Sequence, residues 1–142
     1  DPQKLVMYTL DTNYIPHTKT LDIQKSDSLQ ENLQLIADEL TNTYFIGLKN
    51  KVIKIENNIA YINLIDPNDS YADSWVNNCF QGSCGGSQTE FCLTESFLQR
   101  QLAWDWIDGF YLLNNGMPIE EMDHFNGVGI KFRHLKPNHK LK

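Results

Sequence analysis

The sequence predicts an α+β fold, a small, largely antiparallel sheet with two helices packed on one face. Three observations carry that reading. Two stretches repeat their apolar residues at helical spacing, and each opens on a serine followed three residues later by a glutamate. Between and around them lie short runs rich in β-branched and aromatic residues, bounded by Asn, Gly and Pro. The order of these signals is strand, strand, helix, hairpin, helix, hairpin.

Lys4 to Leu10 is a compact run of β-forming residues and reads as a strand. Asp11 to His17, with Pro16, is a turn, and Thr18 to Gln24 places Leu21 and Ile23 at period two, as an edge strand would. Ser28 and Glu31 form a capping box for a helix whose Leu29, Leu33, Ile36 and Leu40 make one apolar stripe. Lys51 to Asp66 reads as a hairpin turning at Asn57-Asn58, because asparagine tolerates the positive φ of a type I′ turn. That register sets Ile55 opposite Ala60 and Ile53 opposite Ile62, with Leu64 on the same core face. Tyr61 falls on the other, half-covered face.

Gly82, Gly85 and Gly86 are expected to form a turn, after which Ser87 and Glu90 cap a long helix reaching Trp106. This helix shows two apolar stripes, Phe91, Leu98, Leu102 and Trp106 on one side and Leu93, Phe97 and Trp104 on nearly the other. A helix lying on one sheet needs only one. The second stripe is therefore covered either by the segment before Cys79, which carries Tyr71 and Trp75, or by another protein. Asp108-Gly109 closes the helical pattern, Phe110 to Leu113 makes a short strand, and Asn115-Gly116 turns the chain back. Gly129 to Phe132 is a candidate last strand. Residues 1–133 form one domain, and 134–142 a polar tail expected to be mobile.

The 142 residues suffice for one sizeable core, and no run of about 18 apolar residues exists to span a bilayer. With 18 acidic against 12 basic residues the formal charge is -6, which argues against nucleic acid as the partner. The chain begins at Asp1 and suggests a trimmed or mature form.

Cys79, Cys84 and Cys92 are the three cysteines, spaced C-x4-C-x7-C. In an oxidising compartment two would pair, either Cys79 with Cys84 or Cys84 with Cys92. Cys84 beside a helix start could instead be a reactive thiol, although its base would have to come from a histidine distant in sequence. Gly82 to Thr89 invites comparison with a phosphate loop but lacks the lysine such loops use, so no nucleotide cofactor is expected. Zinc held by the cysteines and His124 fits no usual spacing, and Glu120, Glu121, Asp123 and His124 read as a solvated turn; no metal is expected.

Read together, Tyr8 near an opening strand, Phe45-Ile46-Gly47-Leu48 after the first helix, Ile59-Ala60-Tyr61-Ile62-Asn63-Leu64, Phe80-Gln81-Gly82-Ser83, Asp108-Gly109-Phe110 and Asn115-Gly116-Met117-Pro118 resemble the sporulation and spore germination domain, GerMN. The matches run from about Lys4 to Gly127. The resemblance implies a small α+β module without catalytic activity. It also implies an extracytoplasmic place in the envelope of spore-forming bacteria, as a lipoprotein or secreted protein that would reach a membrane only through a removed N-terminal anchor. Cys84 stands where members more often carry a small residue. The expected function is a protein association or scaffold module linked to sporulation or germination. Leu93, Phe97, Trp104 and Tyr61 are the candidate contact residues for a protein partner or another copy. The alternatives are a thiol, redox or hydrolytic enzyme using Cys84, and a small-ligand-binding module.

Overall fold

The computed structural model describes residues 2–24, 27–81 and 83–134; the side chains of residues 2, 83 and 84 lie outside the description. The expected mobile tail falls almost wholly outside it. The fold is α+β. Strands β1 (Pro2–Leu10) and β2 (Pro16–Gln24) form an antiparallel hairpin. A second, mixed sheet runs β3-β4-β5-β6, from β3 (Lys49–Glu56), β4 (Ile59–Ile65), β5 (Gly109–Asn114) and β6 (Met117–Pro118), with β7 (Ile130–Phe132) also paired to β5. All its pairings are antiparallel except β4 with β5, which is parallel. A crossover between parallel strands must carry a long connection, and the second helix lies within it.

Helix α1 (Leu29–Thr43) starts as its sequence dictates. The Glu31 N–H donates to Ser28 Oγ at 3.1 Å, and the Ser28 N–H donates to Glu31 Oε1 at 3.0 Å. Leu33, Ile36, Ala37 and Leu40 are fully buried and join the same core as Ala60, Ile62 and Leu64. The hairpin β3–β4 turns at Asn57 (φ 52°) and Asn58 (φ 61°), and Ile55 does pair with Ala60. The expected pairing of Ile53 with Ile62 is not made. A bulge between Val52 and Lys54 gives Ile62 to Val52, which is buried, and turns Ile53 outward at 42% exposure. One extra residue exchanges the two faces of a strand.

Helix α2 (Ser83–Leu98) begins four residues before the expected Ser87 and ends well short of Trp106. Ser87 is therefore an exposed residue inside the helix, and Glu90 does not cap it; its Oε1 accepts from the Asn126 N–H at 2.9 Å. Gly85 and Gly86 are helical residues, not a turn, while Gly82 lies outside the described residues. Gly86 is needed for close approach. A Cβ there would stand 2.3 Å from the His124 carbonyl oxygen. The helix stops where Gln99 adopts a φ of 45°, and Arg133 then donates its guanidinium to the carbonyls of Gln99 (2.8 Å), Leu102 (3.0 Å) and Trp104 (3.4 Å). A cation at a helix C-terminus meets both the unsatisfied carbonyls and the negative end of the dipole.

The two helices also seal two strand edges. The Val6 N–H donates to Gln99 Oε1 at 3.0 Å while Gln99 Nε2 donates to the Val6 carbonyl. Ser96 Oγ accepts from the Tyr8 N–H at 2.8 Å and donates to the Tyr8 carbonyl at 3.0 Å, and Gln88 Nε2 reaches the Asp11 carbonyl at 2.7 Å. On the other side, Gln34 Oε1 accepts from the Val52 N–H at 2.8 Å and Gln30 Nε2 donates to the Val52 carbonyl at 3.1 Å. Polar side chains on α2, on Gln99 just after it and on α1 thus take the place of a neighbouring strand along β1 and β3, which blocks edge-to-edge pairing there.

The segment between β4 and α2 is anchored by Trp75. Its indole is fully buried and donates to the Lys49 carbonyl at 3.0 Å, between Phe45 and Phe80, and Phe80 stacks on Phe125 with centroids 4.2 Å apart. His124-Phe125 closes this end of the core, as Phe125 is buried.

Candidate functional site

Each pairing of the larger sheet carries side chains alternately toward the helices and away from them. Ala60, Ile62, Leu64, Phe110 and Leu112 point inward, and Phe97 of α2 lies on Phe110 with centroids 5.7 Å apart. The outward side is set by the register. Lys54 pairs with Tyr61, Tyr61 with Tyr111, and Tyr111 with Ile130, so one row crosses four strands. The Tyr61 and Tyr111 rings lie 5.6 Å apart, and the Lys54 ammonium sits 4.6 Å from the centre of the Tyr61 ring, within cation–π range. Ile53 beside the bulge and Ile130 at 40% are exposed. Lys51 opposite Asn63 and Lys49 opposite Ile65 extend the same face with two more exposed cations.

Of the four expected contact residues, Tyr61 alone sits on this face, half-buried. Leu93 and Phe97 cannot serve a partner. They are 1% and 0% exposed because α2 is wedged between the larger sheet and β1, so its second apolar stripe belongs to the chain's own core. The covering layer on that flank is β1 and not only the segment before Cys79. Trp104 is not on the helix at all; it lies half-buried in the loop after it, edge-to-face with Trp106.

Cys79 and Cys92 are free, buried thiols, so neither takes part in a disulfide, and the expected Cys79–Cys84 bond is not made. The Cys84 side chain lies outside the described side chains. Burial pushes the Cys79 thiol up to about 12, against a hydrogen bond from Thr89 that lowers it. It pushes Cys92 up to about 11, against contacts with Tyr44 and the Leu10 backbone. Among the described residues no group of three His, Cys, Asp or Glu side chains is placed to hold a metal ion. Asp11 and His17, 2.8 Å apart, clasp the β1–β2 turn, where Asp11 Oδ1 also accepts from the Asn13 and Ile15 N–H groups. Those bonds hold the Asp11 carboxyl below its usual value. Among the described residues no helix is long and apolar enough to cross a membrane.

Two antiparallel strands lead into a helix, a hairpin, a crossover helix and a strand parallel to the hairpin's second arm. The chain is similar to the tandem GerMN domains of the sporulation protein GerM from Bacillus subtilis. The two share 18% identity with a TM-score of 0.44, over 93% of this chain and 45% of that one. The chain therefore spans less than half the length of that structure. No family model and no curated protein matches it.

Sequence reasoning missed Ile53, Tyr111 and Ile130. The bulge that exposes Ile53 has no local signal, and the row containing Tyr111 and Ile130 exists only once β5 pairs with β4 and β7. Tyr61 was legible from the alternation of β4 alone.

Proposed function

We propose that this chain is a non-catalytic association module of the cell envelope, linked to sporulation or germination, that works by docking the outer face of its larger sheet onto another copy of itself. The observation supporting this is the row Lys54, Tyr61, Tyr111 and Ile130 with Ile53 beside it. A one-sided sheet ordinarily presents polar residues to water, whereas contiguous aromatic and aliphatic side chains mark an interface. Charge points the same way. Lys49, Lys51 and Lys54 lie on this face of a chain whose net charge is -6, so the acidic surface elsewhere on a second copy complements it. Such a contact joins two different patches and is heterologous. The link to sporulation or germination rests on the order of the GerMN-like motifs along the sequence.

The thiol-enzyme alternative concerns Cys84, whose side chain lies outside the described ones; Cys79 and Cys92 are no substitute for it, since their raised pKa values leave little thiolate at neutral pH. Sedimentation velocity over a wide concentration series tests the proposal, on the natural chain and on Ile53→Lys/Tyr111→Lys. We expect association that the exposed double substitution abolishes while the far-ultraviolet spectrum is unchanged. A monomer at every concentration would remove self-association, and association that survives the substitutions would move it to another surface.

A further inference from the structure

A cleft of about 730 Å³ opens between the start of α1, the β3–β4 turn at Asn58 and the loop after α2, and its lining shares no residue with the row Lys54, Tyr61, Tyr111 and Ile130. Its volume lies within the range of small-molecule sites, about 300–1,000 Å³. Two indoles form one wall. Trp106 is fixed, buried with its Nε1 donating to the Phe97 carbonyl at 2.7 Å, and Trp104 stands against it at 85° with centroids 6.3 Å apart. Trp104 is half-buried and lines the cleft. Asp27, Asp105 and Asp108 line it too, Asp27 Oδ2 already accepting from the Gln24 N–H at 3.1 Å. Arg133, the cation of the site, already donates to three backbone carbonyls around the same loop and holds the Trp104 backbone in place.

A second, independent feature points to a ligand. Asn32, on α1, is 7% exposed and lines the cleft, yet its side-chain amide makes no hydrogen bond among the described residues. The residue is nine-tenths buried but its amide still opens onto the cleft, so its donor and acceptor are left for a group that enters there. The Asn32 backbone N–H, by contrast, is paired with the Ser28 carbonyl at 3.0 Å.

We propose that this cleft binds a neutral carbohydrate, a short oligosaccharide whose ring lies on Trp104 and whose hydroxyls meet Asn32 and the carboxylates. The chemistry of the donor set selects this class. Three carboxylates around one already engaged guanidinium repel phosphate and carboxylate ligands. A simple ammonium would suit the carboxylates and the indole, but it has no lone pair for the Asn32 Nδ2–H groups. A hydroxyl both donates to a carboxylate and accepts from the Asn32 amide, and the C–H face of a pyranose covers the apolar indole.

The test is a titration of the whole chain followed by tryptophan fluorescence and by isothermal calorimetry. Chitotetraose and cellotetraose serve as neutral probes, with choline and inorganic phosphate as the cationic and anionic ones. The expected result is saturable binding of at least one oligosaccharide, weakened at least about tenfold by Asn32→Ala and by Asp105→Asn. Asp105 is exposed, so its variant keeps the fold even if a change at Asn32 does not. Choline and phosphate should give no saturable signal. Failure of both oligosaccharides to bind, binding of choline alone, or sugar binding unaffected by both variants would each overturn the proposal.

Discussion

Gly86 shows how a single hydrogen atom in place of a methyl group can fix the course of a chain. Alanine inside a helix usually stabilises it by about 1 kcal/mol relative to glycine. At Gly86 the sign should reverse, because the added Cβ would sit 2.3 Å from the His124 carbonyl oxygen and push the 119–127 loop off α2. Urea unfolding of Gly86→Ala is expected to show a loss of roughly 1–3 kcal/mol, as overpacking generally does, whereas Gly85→Ala, with open space around it, should be neutral or stabilising. The same glycines read, in sequence, as a turn before Ser87. The pattern Ser87 to Glu90 is a capping box in composition only, since the helix already runs from Ser83 and Glu90 accepts instead from the Asn126 N–H, a partner no local rule contains. At Ser28 the box is real and was legible, because every partner lies within four residues.

The cysteines give a second prediction at this scale. Cys79 and Cys92 have folded pKa values of about 12 and about 11 against an ordinary 9.0. Below pH 9 both folded and unfolded thiols are protonated and the protein keeps its full stability. As pH rises above 9 the unfolded chain loses these protons first, so stability should fall by on the order of 1 kcal/mol per pH unit for each thiol. Unfolding free energies at pH 8 and pH 10 check this, and Cys92→Ala should flatten the slope. An equal slope in that variant would contradict the account. In the folded state at pH 7, Cys79 and Cys92 should react with a thiol reagent only at the rate of unfolding.

Among the elements, the helices do more than cover a sheet. Gln88, Ser96 and Gln99 lie along the edge of β1, and Gln30 and Gln34 along that of β3. Replacing Ser96 and Gln99 together by Ala and Leu should leave the amides of Val6 and Tyr8 without partners. Their hydrogen exchange is then expected to accelerate far more than that of Leu5 and Met7, which face β2. Uniform acceleration across the strand would mean that the side chains act only on global stability. In sequence these glutamines and the serine look like the polar spacers of an amphipathic helix. Periodicity places apolar residues on a face but says nothing of a polar stripe whose partner is the backbone of a distant strand. Hairpin elements were more legible: Asn57-Asn58 and Asn115-Gly116 turn where their φ preferences require. The bulge at Ile53 was not, since Val52, Ile53 and Ile55 offer two equally apolar alternations and only the packing of Val52 under α1 chooses between them.

For the whole molecule, the two proposed surfaces draw on different residues. The helices pack on the inner face of the larger sheet, the row Lys54, Tyr61, Tyr111 and Ile130 lies on the other face, and the cleft beside Trp104 is lined by none of those four residues. The fold class was legible in sequence because it depends on element order. The site was legible only at Tyr61, because a row across four strands is a property of non-local pairing and the second apolar stripe of α2 proved to be core. The most direct measurement of the central claim is a dilution series of two-dimensional amide spectra on isotope-labelled protein. Association through the outer face predicts concentration-dependent shifts that cluster at Ile53, Lys54, Tyr61, Tyr111 and Ile130, with a second cluster at the acidic patch on which that face docks. Shifts that leave the outer face untouched, or no shift at any concentration, would contradict it.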